Sequence, residues 1–147
     1  MASVKQVKLK SNEEEYSIFA ITANLRDFQF CDFINTVFSI EIRAQEPIEI
    51  SLPDGKTVKP FLYSSYDDSR KTKITIVDNK SNGIPFIDFL KNITYFLKIS
   101  PALEATELTE IQQRLSENEK ILFVQRIDIQ SLASKQKNIL KALFLNI

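Results

Sequence analysis

The stretch Ile93-Thr94-Tyr95-Phe96-Leu97-Lys98-Ile99 decides the fold. It is dense in β-branched and aromatic residues and carries a single charge, which reads as an inner strand of a sheet. Ser100-Pro101 follows at once. That pair predicts a helix N-cap with proline at the first helical position. The rest of the chain is expected to pack around this strand.

Working outward toward the N-terminus, Tyr16-Ser17-Ile18-Phe19-Ala20-Ile21-Thr22 reads as a second strand inside the sheet. Residues 4–10 read as a first strand or an ordered arm, and the Glu-rich turn at 11–15 as a solvated surface. Asn24 is placed to cap a helix over 25–38, with Asp27 in its first turn favouring the helix dipole. Leu25, Phe28, Cys31, Ile34, Val37 and Phe38 recur at helical spacing, and Phe30 and Phe33 widen the stripe. Residues 39–52 read as one bent strand or two short ones, interrupted by Pro47. Pro53-Asp54-Gly55 predicts a hairpin turn. Thr72, Ile74 and Ile76 alternate with Lys71, Lys73 and Thr75, so one face of that strand is expected to be wet and the sheet antiparallel.

Ile84 to Leu90 reads as a helical turn or an irregular docked segment. A helix is expected over 103–117, then a rich strand at Ile121-Leu122-Phe123-Val124-Gln125-Arg126-Ile127. Strand, helix and strand in that order fit a crossover or an antiparallel return. The tail from Ser131 to Ile147 reads as a helix. The sum is an α+β fold in two layers: a mainly antiparallel sheet of about five to seven strands with helices on one face. At 147 residues one domain spanning 1–147 is expected.

Composition narrows the chemistry. Histidine is absent, which removes the usual general base near neutral pH and the commonest metal ligand. The two glycines, Gly55 and Gly83, lie in no phosphate-cradling loop, so dinucleotide and P-loop patterns are excluded. No cofactor and no metal site are expected. The 19 basic residues balance 19 acidic ones, leaving no global field for nucleic acid. Cys31 is the one cysteine, so no intrachain disulfide can form. Together with the lack of a signal-like N-terminus or a bilayer-length apolar run, this predicts a cytoplasmic protein without a membrane partner. Cys31 falls within the helical stripe with no base beside it, so an inert, buried thiol is expected.

Several pieces in order resemble a known family. Leu25-x-x-Phe28-x-Phe30-Cys31-x-Phe33-Ile34-Asn35 opens the set. Phe61-Leu62-Tyr63-x-x-Tyr66-Asp67-Asp68 follows, then Asn79-Lys80-Ser81-Asn82-Gly83 ahead of Ile87 to Ile99. Ile127-Asp128 and Leu132-Ala133-Ser134-Lys135 close it. Taken together the chain resembles the IPExxxVDY family, small proteins of Bacteroidetes bacteria named for one motif. The Ile, Val and Tyr positions of that motif match Ile87, Ile93 and Tyr95. Its Pro, Glu and Asp positions hold Asp88, Phe89 and Thr94, so the apolar skeleton survives and the polar residues do not. The resemblance therefore implies a structural lead-in and central strand, and brings no activity with it.

Two sets of residues remain as functional candidates. Asp67-Asp68 could hold a cation or serve as acid and base, but a turn between strands uses Asp for backbone hydrogen bonding. Tyr63, Tyr66, Arg70 and Lys73 could join them around a ligand or a partner, or simply dress an exposed sheet face. At the C-terminus Leu143, Phe144, Leu145 and Ile147 either pack on the chain's own core or dock on a partner or twin subunit. The expectation is a non-enzymatic interaction or adaptor module, with a small-ligand binder or a carboxylate/tyrosine enzyme as the alternative.

Overall fold

Both faces of the central strand are apolar, and the architecture follows from that. The computed structural model describes residues 16–81 and 84–147. The strand or arm expected at 4–10 and the acidic turn at 11–15 lie outside the described residues. The elements run β1 (Ser17–Ala23), α1 (Asp27–Phe38), β2 (Arg43–Gln45), β3 (Ile50–Ser51), β4 (Thr57–Val58), β5 (Leu62–Asp67) and β6 (Thr72–Asp78). Then come β7 (Lys80–Ser81), β8 (Ile84–Pro85), β9 (Tyr95–Ser100), α2 (Ala105–Ser116), β10 (Ile121–Ile127) and α3 (Ser134–Leu145). A six-stranded sheet in the order β10-β1-β9-β6-β5-β2 is antiparallel at every pairing. The expected α+β class with a mainly antiparallel sheet is what the chain adopts, and two short two-stranded sheets, β3-β4 and β7-β8, stand beside it.

The expected inner strand is β9, flanked by β1 and β6. Successive side chains of a strand point to opposite faces. Tyr95, Leu97 and Ile99 join Phe19, Ile21, Ile74 and Ile76 under α1 and α2. Phe96 joins Ile18, Ala20, Leu62 and Val77 under α3, the β3-β4 hairpin and the segment through Phe86 and Ile87. Helices α1 and α2 share one face as expected, whereas α3 covers the other and adds a layer. An apolar stripe predicts that a helix is packed, not which side of the sheet it packs on. For the same reason β6 is wet only at one end: Lys73 is exposed, but Thr75 and Val77 are buried beneath the second layer.

Lys98, the one charge in the central strand, lies on the α3 face. Its Nζ donates to the Phe144 carbonyl at 2.7 Å and sits 4.8 Å from the centre of the Tyr16 ring. A cation at a helix C-terminus satisfies an orphan carbonyl and opposes the negative end of the dipole. Burial, with Lys73 nearby, lowers the Lys98 ammonium from its ordinary pKa.

Two boundaries and one stripe position differ from expectation. Asn24 does not cap α1; its N–H donates to the Lys120 carbonyl, and the helix starts from Arg26, whose N–H donates to Gln29 Oε1 at 3.0 Å. Phe28 falls off the buried stripe of Phe30, Cys31, Ile34 and Val37 and is 63% exposed. Ser100-Pro101 is a cis peptide bond at the end of β9 rather than a helix start, and α2 opens only after Glu104. The Pro53-Asp54-Gly55 hairpin forms as expected, with Gly55 N–H donating to Leu52 O and Gly55 at φ +91°, where a side chain would be strained. Residues 39–52 divide into two short strands, β2 and β3.

The lead-in to β9 docks as predicted, through one buried side chain. Asn79 Nδ2 donates to the carbonyls of Leu90 and Ile93, and Asn79 Oδ1 accepts from Ile87 N–H. Its backbone donates to Thr94 O and accepts from Phe86 N–H. A buried amide must have its partners, and here they are the backbone of the segment it anchors. Beyond β9, the crossover alternative holds in a split form. β9 and β10 both run antiparallel to β1 and so parallel to each other, with β1 between them and α2 linking them.

Candidate functional site

Among the described residues β10 is an edge strand, and two adjacent large apolar side chains on it stand in water. Leu122 is 68% and Phe123 52% exposed, while Ile121 and Val124 are buried. Opposite edges of the sheet are treated differently. β2 at the far edge is three residues long, exposed throughout, and has Arg43 paired with Glu41 at 3.1 Å. A short charged edge discourages pairing with another chain; a seven-residue edge with Leu and Phe in water does not.

A trough of about 610 Å³ borders this edge on the α3 face, lined by Phe123, Gln125, Thr22, Phe89 and Leu90. A shallow hollow of about 500 Å³ lies along α2 itself, bordered by Thr109, Gln112, Gln113, Ser116 and Glu117. Gln112 Nε2 donates to the Val124 carbonyl at 3.1 Å. Ile21, the cross-strand neighbour of Val124, gives its own carbonyl to Thr94 N–H on the β9 side. In an antiparallel ladder this places the Val124 backbone groups on the outer edge, where Gln112 covers the acceptor.

A second concavity of about 160 Å³ lies between the C-terminus of α1 and the N-terminus of α2. Asp67 and Arg70, two of the expected site residues, stand at its mouth. The other candidates are dispersed. Tyr63 faces α1, directly cross-strand from Ile76, and donates its hydroxyl to Asp27 Oδ2 at 2.7 Å. Tyr66 points to the opposite face and is exposed. Asp68 is exposed, 3.5 Å from Lys71 Nζ. Asp67 does what a turn carboxylate does: Oδ1 accepts from Ser69 N–H, Ser69 Oγ and Arg70 N–H, and Oδ2 lies 3.3 Å from Arg70 Nε. The Ser69 hydroxyl and the Arg70 amide hold its carboxyl below the usual carboxylate range. The acid pair and the two tyrosines thus do not converge on one reacting centre.

Of the two readings of the C-terminal residues, packing on the chain's own core is the one Leu143 and Phe144 adopt, so they are not free to dock on a partner. Phe144 packs edge-on against Phe96 and Tyr16, at centroid distances of 5.5 and 6.2 Å. Ile147 packs half-buried against the same cluster, and Leu145 is the large apolar residue of this helix left in water. Helical geometry turns Leu143 and Phe144 toward the sheet and Leu145 away from it.

One polar cluster escaped the sequence reading. Asp27 accepts from Tyr63 on Oδ2 and from Tyr95 on Oδ1 at 2.9 Å, and the Tyr95 hydroxyl also lies 2.8 Å from Leu25 O. Tyr95 stacks on Phe30, centroids 4.3 Å apart and planes 4° from parallel. Asp78, cross-strand from Tyr95, is buried and accepts from Phe61 N–H at 2.9 Å. Burial pushes its carboxyl up to about 7, with Asp27 adding to the effect and the Phe61 hydrogen bond opposing it. Burial likewise pushes the Cys31 thiol up to about 11, aided by Asp27 and Asp32. None of these groups lines the β10 trough or the cleft between α1 and α2. Their arrangement fastens α1 to the sheet. No three His, Cys, Asp or Glu side chains among the described residues are grouped to hold a metal ion. No helix among the described residues is long and apolar enough to cross a membrane.

No family model matches the chain, and no curated protein matches it.

Proposed function

We propose that the chain is a non-enzymatic, cytoplasmic protein-interaction module that accepts an extended segment along β10. The observation that carries this reading is that β10 has no strand on its outer side among the described residues, with Leu122 and Phe123 in water and a trough on the α3 face. Strand addition draws affinity from main-chain hydrogen bonds and specificity from alternate side chains entering such troughs. The added segment is a partner protein's, or β10 of a second copy. A carboxylate/tyrosine enzyme finds less support, because Tyr63 and Tyr66 stand on opposite faces of β5. Membership of the IPExxxVDY family is retained as part of the proposal. Its supporting features are the buried positions of Ile87, Ile93 and Tyr95, the skeleton of that motif.

The test pairs the wild-type chain with the double substitution Leu122→Lys and Phe123→Lys. Both sites are exposed, so circular dichroism should report an unchanged fold. Light scattering after size exclusion and capture from native lysate are then compared. Self-association or a captured protein that the double variant loses supports the proposal. A wild-type monomer that captures nothing beyond what the variant captures refutes it.

A further inference from the structure

The geometry points to a binding site for a small organic cation in the cleft between α1 and α2, separate from the β10 edge. The floor is one row of the sheet in register across three strands: Ser65 on β5, Ile74 on β6 and Ile99 on β9. Ile74 and Ile99 are buried, 3% and 1% exposed, at the foot of a gap between the two helices. α1 stops at Phe38, where Ser39 turns into the left-handed region at φ +55°. α2 does not begin until Ala105, because Ser100 to Glu104 is spent on the turn out of β9. The small Ser65 side chain, beside two isoleucines, leaves the space. Phe38, Ile40, Leu103 and Ile111 form apolar walls.

The volume of about 160 Å³ sets the size of an occupant. An apolar cavity of about 150 Å³ accommodates a benzene ring. The mouth sets its charge. Asp67 and Glu107 carry two negative charges there against one positive charge on Arg70, which is already turned to Asp67. Glu107 has no ion-pair partner among the described residues. The C-terminus of α1 and the N-terminus of α2 both end at this cleft and bring dipole ends of opposite sign, so the net charge of the rim rests on Glu107. An ammonium group on a body of about six carbons fits both the wall and the rim. An organic carboxylate of the same size meets two carboxylates at the entrance.

Benzylamine, benzyl alcohol and benzoate are the probes, read by methyl-resolved NMR on the isoleucine-labelled chain. Benzylamine should shift Ile74, Ile99 and Ile111 methyl signals saturably, binding about fivefold or more tightly than benzoate. Glu107→Gln, on an exposed helix surface, should shrink that preference toward parity while the neutral alcohol is unaffected. Ser65→Leu should fill the floor and abolish binding of all three, with a melting temperature no lower than wild type. Should Ser65→Leu unfold the chain, Ser65→Val is the smaller filling variant, expected to weaken all three probes. Binding of benzoate as tight as benzylamine overturns the charge assignment. Absence of saturable shifts at about 10 mM benzylamine, or binding unchanged in a folded filling variant, overturns the site.

Discussion

The Tyr63 hydroxyl donates to Asp27 Oδ2 at 2.7 Å across 36 positions of chain, and Tyr95 takes the other oxygen of the same carboxylate. One first-turn residue thereby ties α1 to both β5 and β9. Asp27→Ala removes the acceptor for two phenols and is expected to cost about 2–3 kcal/mol, read by urea denaturation. Tyr63→Phe removes one donor and should cost about 1 kcal/mol. An Asp27→Ala chain as stable as wild type would show that the pair contributes nothing net.

The same two phenols make stability sensitive to alkali. Burial, then the hydrogen bond to Asp27, raises both above the ordinary value of 10.0. A group raised in the folded state lends stability that is complete below the unfolded pKa and lost as pH rises toward the folded one. The melting temperature should therefore hold up to about pH 10 and fall beyond it. In Tyr63→Phe/Tyr95→Phe the alkaline slope should be shallower, whatever the loss at neutral pH.

Asp78 gives a second window, in the neutral range. Its carboxyl rises from an ordinary 3.8 to about 7 on burial, so its stabilising protonated form is full below pH 3.8 and lost as pH climbs through 7. Asp78→Asn retains an oxygen for Phe61 N–H and removes the charge. The variant should be more stable than wild type at pH 8, on the order of 2 kcal/mol, with the gain disappearing near pH 4. Thermal melts at the two pH values check it; equal gains at both would rule out titration of this group.

Cys31 should be unreactive in the folded chain. With its thiol pushed up to about 11 and its side chain buried between α1 and the sheet, little thiolate forms at neutral pH. A disulfide reagent at pH 8 should label it only in denaturant. Prompt labelling of native protein would contradict the described packing.

Phe144→Ala should cost about 3–5 kcal/mol and Leu145→Ala less than about 0.5, by denaturant titration. The first side chain is fully buried against Phe96 and the second stands in water. Equal, small effects would place this helix off the core.

How much of this could be read in advance differs from element to element. β9 and β1 were legible because their runs are apolar on both faces, and only an inner position satisfies that. The same fact implied a cover on each face, yet the stripe of α3 carries no label for its side. Asp27 was legible as a first-turn acid, but its partners lie 36 and 68 positions away, and no local spacing joins an aspartate to two tyrosines so distant. Asp67 and Asp68 read correctly as turn residues, since an Asx turn is local chemistry. The β10 edge gave one available hint, two adjacent large apolar residues, Leu122 and Phe123, in one strand. Edge position depends on strand order, and strand order comes from the whole chain.

The insertion of β1 between β9 and β10 has a bearing on biosynthesis. Ser17 finds its partner at Ile99 and Ile18 at Ile127, so the first described strand has neither neighbour until β9 and then β10 have been translated. A nascent chain on the ribosome must carry an oily, unpaired Ile18-Phe19-Ala20-Ile21 over that span of elongation, a hydrophobic stretch suited to shelter by a chaperone.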